Sequence, residues 1–171
     1  MPYSADENKE WMKLRFQEIG PASVVDIGPG SGAYSNLLRS AGCEWKAIEA
    51  WGPYVSQFSL FDKYDHVVIA DVRHCDLYSV HVKPDLVIAG DVLEHLSKDE
   101  AICVIGRLKS WGRNLLVSIP NDDYPQGPHE GNWFEIHRST WTHEEMELLL
   151  SDGLIDSSRG DIVSSYYWRS E

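Results

Sequence analysis

Short apolar runs bounded by turn residues recur along the chain: SVVDI at 23–27, WKAIE at 45–49, HVVIA at 66–70, DLVIAG at 85–90 and NLLVSIP at 114–120. Each has strand length and is apolar nearly throughout rather than alternating, the pattern of parallel strands covered on both faces. Helix-compatible stretches lie between most of them, so the chain reads as an α/β sandwich. Ahead of the first strand, Trp11, Leu14, Phe16 and Ile19 give residues 5–19 an apolar side, and Ser4 followed by Glu7 has capping-box spacing. This predicts an N-terminal helix ended by Gly20 and Pro21. After a helix predicted at about 143–152, LIDSSR and IVSSYYWR follow closely enough to pair as an antiparallel hairpin. The longest irregular stretch, 120–140, carries three prolines and two glycines, and a loop of that length in a compact domain reads as a lid or binding loop.

Composition narrows the class. With 171 residues, 43% hydrophobic and 25% charged, the chain is expected to be one globular domain spanning 1–171. Fifteen Lys and Arg against 27 Asp and Glu give a net charge of −12, so a basic track for a phosphate backbone is missing and a nucleic-acid substrate is disfavoured. Cys43, Cys75 and Cys103 are odd in number, widely spaced and without a CxxC, which fits a reducing, cytoplasmic setting. No apolar run approaches a membrane span, and MPYSADENKE lacks the order of a signal peptide, so neither export nor anchoring is expected.

The segment V-V-D-I-G-P-G-S-G-A-Y places Gly28, Gly30 and Gly32 between a predicted strand and a predicted helix, where backbone N–H groups can approach a ligand. Such glycines also make ordinary turns. Context strengthens the ligand reading: Asp26 closes the strand before the glycines, and Glu49 ends the next strand, where an acid can hold a ribose diol. Gly28, Gly30 and Ala33 also fit G-x-G-x-x-A, which keeps a nicotinamide oxidoreductase open.

The rest of the chain resembles class I S-adenosylmethionine-dependent methyltransferases over essentially its whole length. The segment D-I-G-P-G-S-G is similar to their first motif, and Glu49, the step Ala70-Asp71-Val72 and D-L-V-I-A-G-D-V-L-E-H-L at 85–96 fall in the family's order and spacing. The resemblance implies a Rossmann-like doubly wound sheet of seven strands, the last antiparallel, with helices on both faces. It also implies that Asp26, Gly28, Gly30 and Gly32 surround the methionine part of S-adenosylmethionine, and that Glu49 takes the ribose hydroxyls. Asp71 and Val72 would lie beside the adenine, and Gly90 and Asp91 would close the near wall. The acceptor would lie under the first helix (1–20), the start of the helix after 91 and the 120–140 loop.

A sulfonium methyl group is already an activated electrophile, so transfer needs positioning of the acceptor and, for an alcohol, a base or a metal. Asp91, Glu94 and His95 stand at i, i+3 and i+4, one face of a helix starting at the strand end; equally, Asp91 and Glu94 could cap that helix. The stretch H-R-S-T-W-T-H-E-E-M from His137 onward resembles a segment of metal-using branches of the superfamily, among them small-RNA terminal 2′-O-methyltransferases and ubiquinone-type O-methyltransferases. There an acidic residue, x, x, Glu-His is joined by a distant histidine before an aromatic residue and a helix. Carried over, Asp91, Glu94, His95 and His137 would bind one divalent ion, with Asp91 departing from the Glu usual there; His95 and His137 are also the candidate catalytic groups. A loop histidine that merely orients the lid is the other reading of His137.

The lid carries Tyr124, Trp133, Phe134 and Trp141, aromatic side chains that could stack on an acceptor or pack on the domain; packing is favoured for Trp141. Asn121 is a candidate acceptor contact, His129 resembles His137 in type, and His143 reads as first-turn residue of a helix capped by Thr142 with Glu145. The expected activity is methyl transfer to an oxygen of a small hydroxylated, sugar or natural-product molecule, by a monomer or homodimer. The alternatives are an NAD(P)-dependent oxidoreductase and a cofactor-binding module without catalysis.

Overall fold

The computed structural model describes residues 6–121 and 125–171. Its elements are α1 Lys9–Ile19, β1 Ser23–Ile27, α2 Ala33–Leu38, β2 Glu44–Glu49, α3 Gly52–Gln57, α4 Leu60–Lys63, β3 His66–Ile69, α5 Leu77–Val80, β4 Leu86–Gly90, α6 Lys98–Trp111, β5 Asn114–Pro120, α7 His143–Leu149, β6 Leu154–Arg159 and β7 Val163–Arg169. Two 3-10 turns, Leu93–His95 and Trp133–Glu135, lie after β4 and within the long loop.

The strands form one seven-stranded sheet in the order β3-β2-β1-β4-β5-β7-β6, with β1 to β5 parallel. β7 runs antiparallel to both β5 and β6, the hairpin anticipated from the sequence. Every residue of β1 is buried, as a strand with two covered faces requires. Alternation along the strands divides the core: Val25, Ile27, Val87 and Ala89 face the layer of α5, α6 and α7, while Val24, Leu86 and Ile88 face that of α1, α2 and α4. Trp111 and Ile105 of α6 fill the first layer, and Trp45 with Phe16 and Tyr64, rings 5.8 and 6.4 Å away, fills the second.

Two local expectations are corrected. The first helix begins at Lys9, not near residue 5. The capping-box partner expected for Glu7, Ser4, lies outside the described residues; the Glu7 carboxylate accepts the N–H groups of Asp161, Ile162 and Val163 at 2.8, 2.7 and 2.6 Å. A carboxylate that finds three converging backbone donors in the β6–β7 turn is held there rather than at its own helix. Nor does a helix start at Asp91. The chain makes only the turn Leu93–His95, and α6 opens at Lys98 behind a complete capping box of Ser97 and Glu100. The predicted box of Thr142 and Glu145 does form, at the start of α7, which ends at Leu149.

Candidate active site

A parallel sheet opens a crevice at the carboxyl ends of its strands, where the order reverses beside β1. There the glycine turn leaves β1. Gly28 and Gly30 have φ of 60° and 51°, and a Cβ at Gly28 would meet Val92 at 2.9 Å, so both the backbone conformation and the close approach call for glycine. Opposite them Glu49 ends β2 almost fully buried, its carboxylate accepting the N–H of Trp51 at 2.7 Å and of Gly30 at 3.3 Å. Burial pushes its carboxyl up to about 7 against the pull of those N–H donors.

Gly90, at the end of β4, makes room for Tyr34, whose ring would lie 2.0 Å from any Cβ added there. The Tyr34 hydroxyl is 2.8 Å from the Ser118 hydroxyl, which donates to Asp91 Oδ1 at 2.9 Å. Asp91 itself is held at φ 56°. Gly28, Gly30, Tyr34, Glu49, Gly90 and Asp91 line a cleft that also reaches Asp71, Val72, His95, Tyr54, Asn132, Phe134, Glu135 and Arg138.

Two residues assigned to the cofactor from the sequence do not line it. Asp26 lies beneath the turn, 1% exposed, with Oδ2 accepting the Tyr64 hydroxyl at 2.6 Å. Burial raises its carboxyl to about 7, against the Tyr64 hydrogen bond, and the Glu49 charge adds to the rise. Gly32 sits one step beyond the cleft, its N–H bound to the Pro29 carbonyl at 2.7 Å as the chain turns into α2. Asp71 does line the cleft but is already engaged: Arg73 Nε lies 3.0 Å from Oδ1 and Nη2 2.6 Å from Oδ2. Burial opposes the Asp71 charge, yet the Arg73 bonds hold its carboxyl below the usual value.

At the other end of the cleft, ligand atoms of Glu94, His95 and His137 lie within 4.8 Å of one another, and the two imidazole rings are 4.9 Å apart. What joins them is backbone. The N–H groups of Arg138 and Ser139 donate to the Glu94 carbonyl at 2.7 and 3.1 Å, and the His137 N–H donates to the Gln126 carbonyl at 3.1 Å. Glu94 is 4% exposed, and burial followed by the Asp91 charge drives its carboxyl well above the usual range. Burial drives His95 the other way, so its imidazole is neutral at pH 7. Glu94 Oε2 and His95 Nδ1 are buried without a hydrogen-bond partner among the described residues. Two orphaned donor atoms and a neighbouring imidazole suit a divalent ion with mixed carboxylate and nitrogen ligands. Asp91 does not join this cluster of three; its Oδ1 accepts from the Ser118 hydroxyl.

Glu135 was not foreseen. It is 7% exposed on the 3-10 turn of the loop, with Oε1 accepting the Tyr54 hydroxyl at 3.1 Å and Oε2 accepting Gln126 Nε2 at 3.2 Å. Its charge is felt at Glu49, Glu94 and His95. A sequence signal existed, because Glu135 and Arg138 flank His137 within the aromatic segment N-W-F-E-I-H-R. Of the lid aromatics, Phe134 lines the cleft, Trp133 is 66% exposed and Trp141 is buried with Nε1 donating to Ser139 at 2.9 Å; Tyr124 lies outside the described residues. Asn121 is used structurally, between the Gly160 carbonyl and the Ser164 hydroxyl at 2.6 Å each, and not as a cleft residue. His129 forms a backbone bridge with Asn132, and His143 opens α7 with Nδ1 2.9 Å from the Tyr166 hydroxyl.

No family model and no curated protein matches the chain. Solved structures do. The small RNA methyltransferase HEN1 superposes with a TM-score of 0.78 at 17% identity, covering 99% of this chain and 26% of that one. The N-terminal domain of EvdMO1 with SAH bound gives 0.70 at 12% identity, over 98% and 83%. An S-adenosylmethionine-dependent methyltransferase from Clostridium acetobutylicum ATCC 824 gives 0.73 at 11% identity, over 96% and 92%. The fold is that of the class I S-adenosylmethionine-dependent methyltransferases.

Proposed function

We propose that the protein transfers a methyl group from S-adenosylmethionine to an oxygen of a small hydroxylated acceptor. One observation carries this reading: Glu49 and the glycine turn lie side by side on the cleft, the carboxylate oriented by the Trp51 and Gly30 N–H groups. A buried carboxylate at the end of the second strand is placed to accept two ribose hydroxyls, and a turn that only glycine fits lets a ligand lie against backbone. The site fits the cofactor, which supplies an electrophilic methyl group when bound.

The chain's own residues then position and exclude. Gly90 and Tyr34 form the wall beside the reacting end, and the Tyr34–Ser118–Asp91 chain of hydrogen bonds fixes that wall. The loop carrying Glu135 closes over α3 through Tyr54, which keeps water from the reacting end. With no ion in the site, neutral His95 is the group that can take the acceptor's proton. Glu94, His95 and His137 would hold a divalent ion, and such an ion lowers the pKa of a bound hydroxyl. On this reading residues 1–171 are one catalytic unit, working as a monomer or homodimer in a reducing, cytoplasmic setting where Cys43, Cys75 and Cys103 stay unpaired. Among the described residues no helix is long and apolar enough to cross a membrane.

Thermal unfolding with S-adenosylhomocysteine, NAD and NADP in parallel tests the cofactor. At about a hundred times Kd the true ligand adds roughly 2.7 kcal/mol, a shift of several degrees. Stabilisation by S-adenosylhomocysteine alone is expected. A response to a dinucleotide alone would replace methyl transfer with hydride transfer. Tight cofactor binding with no methylation of any acceptor would leave a binding module.

A further inference from the structure

Among the described residues two arginines line the cleft, and they are in opposite situations. Arg73 is committed to Asp71 and to Glu100, whose Oε1 lies 2.6 Å from its Nη1. Arg138 is exposed, lines the same cleft, and among the described residues makes no side-chain hydrogen bond or ion pair. That is unusual company for it. The chain carries 27 acids against 15 Lys and Arg, and the cleft is bordered by Glu49, Asp71, Asp91 and Glu135, yet none of them takes the guanidinium. Arg138 is not loosely placed either, because its N–H and that of Ser139 are both fixed on the Glu94 carbonyl, one residue after His137. The backbone that sets the Glu94–His95–His137 group therefore also sets where the guanidinium starts.

We infer that Arg138 is a specificity residue that selects an acceptor bearing an oxyanion, a phosphate or a carboxylate, beside the hydroxyl to be methylated. The inference rests on the reading of this cleft as a methyl-transfer site and adds the acceptor's charge class. The physical argument is electrostatic. A surface with a net charge of −12 repels anions, so an anionic acceptor needs a local uncommitted cation, and a planar guanidinium matches phosphate or carboxylate with two parallel hydrogen bonds. A neutral acceptor would make no use of a guanidinium that has no side-chain partner among the described residues. Phe134, 39% exposed on the same cleft, offers an apolar wall for the part of the acceptor between the two polar ends.

The test is calorimetric titration of the protein saturated with S-adenosylhomocysteine, using inorganic phosphate and, separately, acetate. The wild type is expected to bind at least one of them with a Kd on the order of 1 mM. R138A should weaken that binding about tenfold or more, with R138K intermediate because an ammonium loses the paired geometry. S-adenosylhomocysteine affinity should stay within about twofold, which also reports that the variants fold and that the arginine is not holding the cofactor's own carboxylate. Phosphate as the tighter ligand would make the acceptor a phosphate ester, acetate a carboxylic acid. Equal anion affinity in wild type and R138A, no binding of either anion to the wild type, or a large loss of S-adenosylhomocysteine affinity in R138A would each overturn the assignment. Should the wild type not bind S-adenosylhomocysteine at all, the cofactor reading fails by itself, and the same anion titrations on the unliganded protein still judge Arg138.

Discussion

Replacing Asp26 by Asn should make the protein less sensitive to rising pH. Asp26 is 1% exposed on β1, its one resolved side-chain partner is the Tyr64 hydroxyl at 2.6 Å, and burial raises its carboxyl from 3.8 to about 7. Between about pH 4 and 7 the native protein therefore holds a proton that the unfolded chain has released. The native state binding more protons, stability falls as pH rises through this window, by about 1.4 kcal/mol per unit and on the order of 4 kcal/mol in all. Asparagine cannot ionise, and its side-chain oxygen can still accept from Tyr64. At pH 4.5 the two proteins should be of similar stability; by pH 8 the variant should be the more stable, by up to about 4 kcal/mol. Glu49, also raised to about 7, titrates in both proteins and largely cancels in the comparison. Urea unfolding from pH 4.5 to 8.5, with equal m-values in the two proteins, measures the difference. If the two stability curves run parallel to within about 1 kcal/mol, Asp26 does not sit protonated beneath the turn and the reasoning fails.

Other consequences are as direct. Glu49→Ala should weaken S-adenosylhomocysteine binding by about 10- to 100-fold, the loss of hydrogen bonds to a charged acceptor, and a change below threefold by calorimetry would dismiss its ribose role. Glu94→Gln and His137→Ala should each weaken Mn binding at least about tenfold by titration while leaving S-adenosylhomocysteine affinity unchanged; persistence of tight Mn binding in both would remove the ion from the site. Trp141→Ala should cost about 3–5 kcal/mol in urea unfolding because the ring is 4% exposed, whereas Trp133→Ala, 66% exposed, should cost less than about 0.5. Equal costs for the two would place the lid differently from the structure.

Local pattern carried the strands well. The runs at 23–27, 45–49, 66–70, 85–90 and 114–120 became β1 to β5; β1, β4 and β5 are continuously apolar because both faces are buried, whereas β3, at the edge of the sheet, is only half-buried to exposed and the expectation of two covered faces fails there. The Thr142–Glu145 box is local in the same way. Where a side chain had a choice of partners, spacing was a poor guide. Glu7 left its own helix for three N–H donors of the β6–β7 turn, and Asp91 turned to Ser118 on the neighbouring strand, out of the Glu94–His95–His137 group. Asp71 matched a motif position, but Arg73 occupies its carboxylate, and Glu100 of α6 accepts from the same guanidinium.

By itself, then, the order of residues determined the alternation of strands and helices, the antiparallel final hairpin, the glycine turn and the acid at the end of β2, since each follows from interactions between near neighbours in the chain. The tertiary structure alone decided that Glu135 and Arg138 border the cleft, that Asp26 and Gly32 do not, and that His137 meets Glu94 and His95. The first and last of these depend on which distant groups the loop after β5 finds as partners, and the placement of Asp26 depends on Tyr64. The Glu94 carbonyl, which accepts the N–H groups of Arg138 and Ser139, is one of the contacts that hold the loop against the domain, and no periodicity along the chain encodes it.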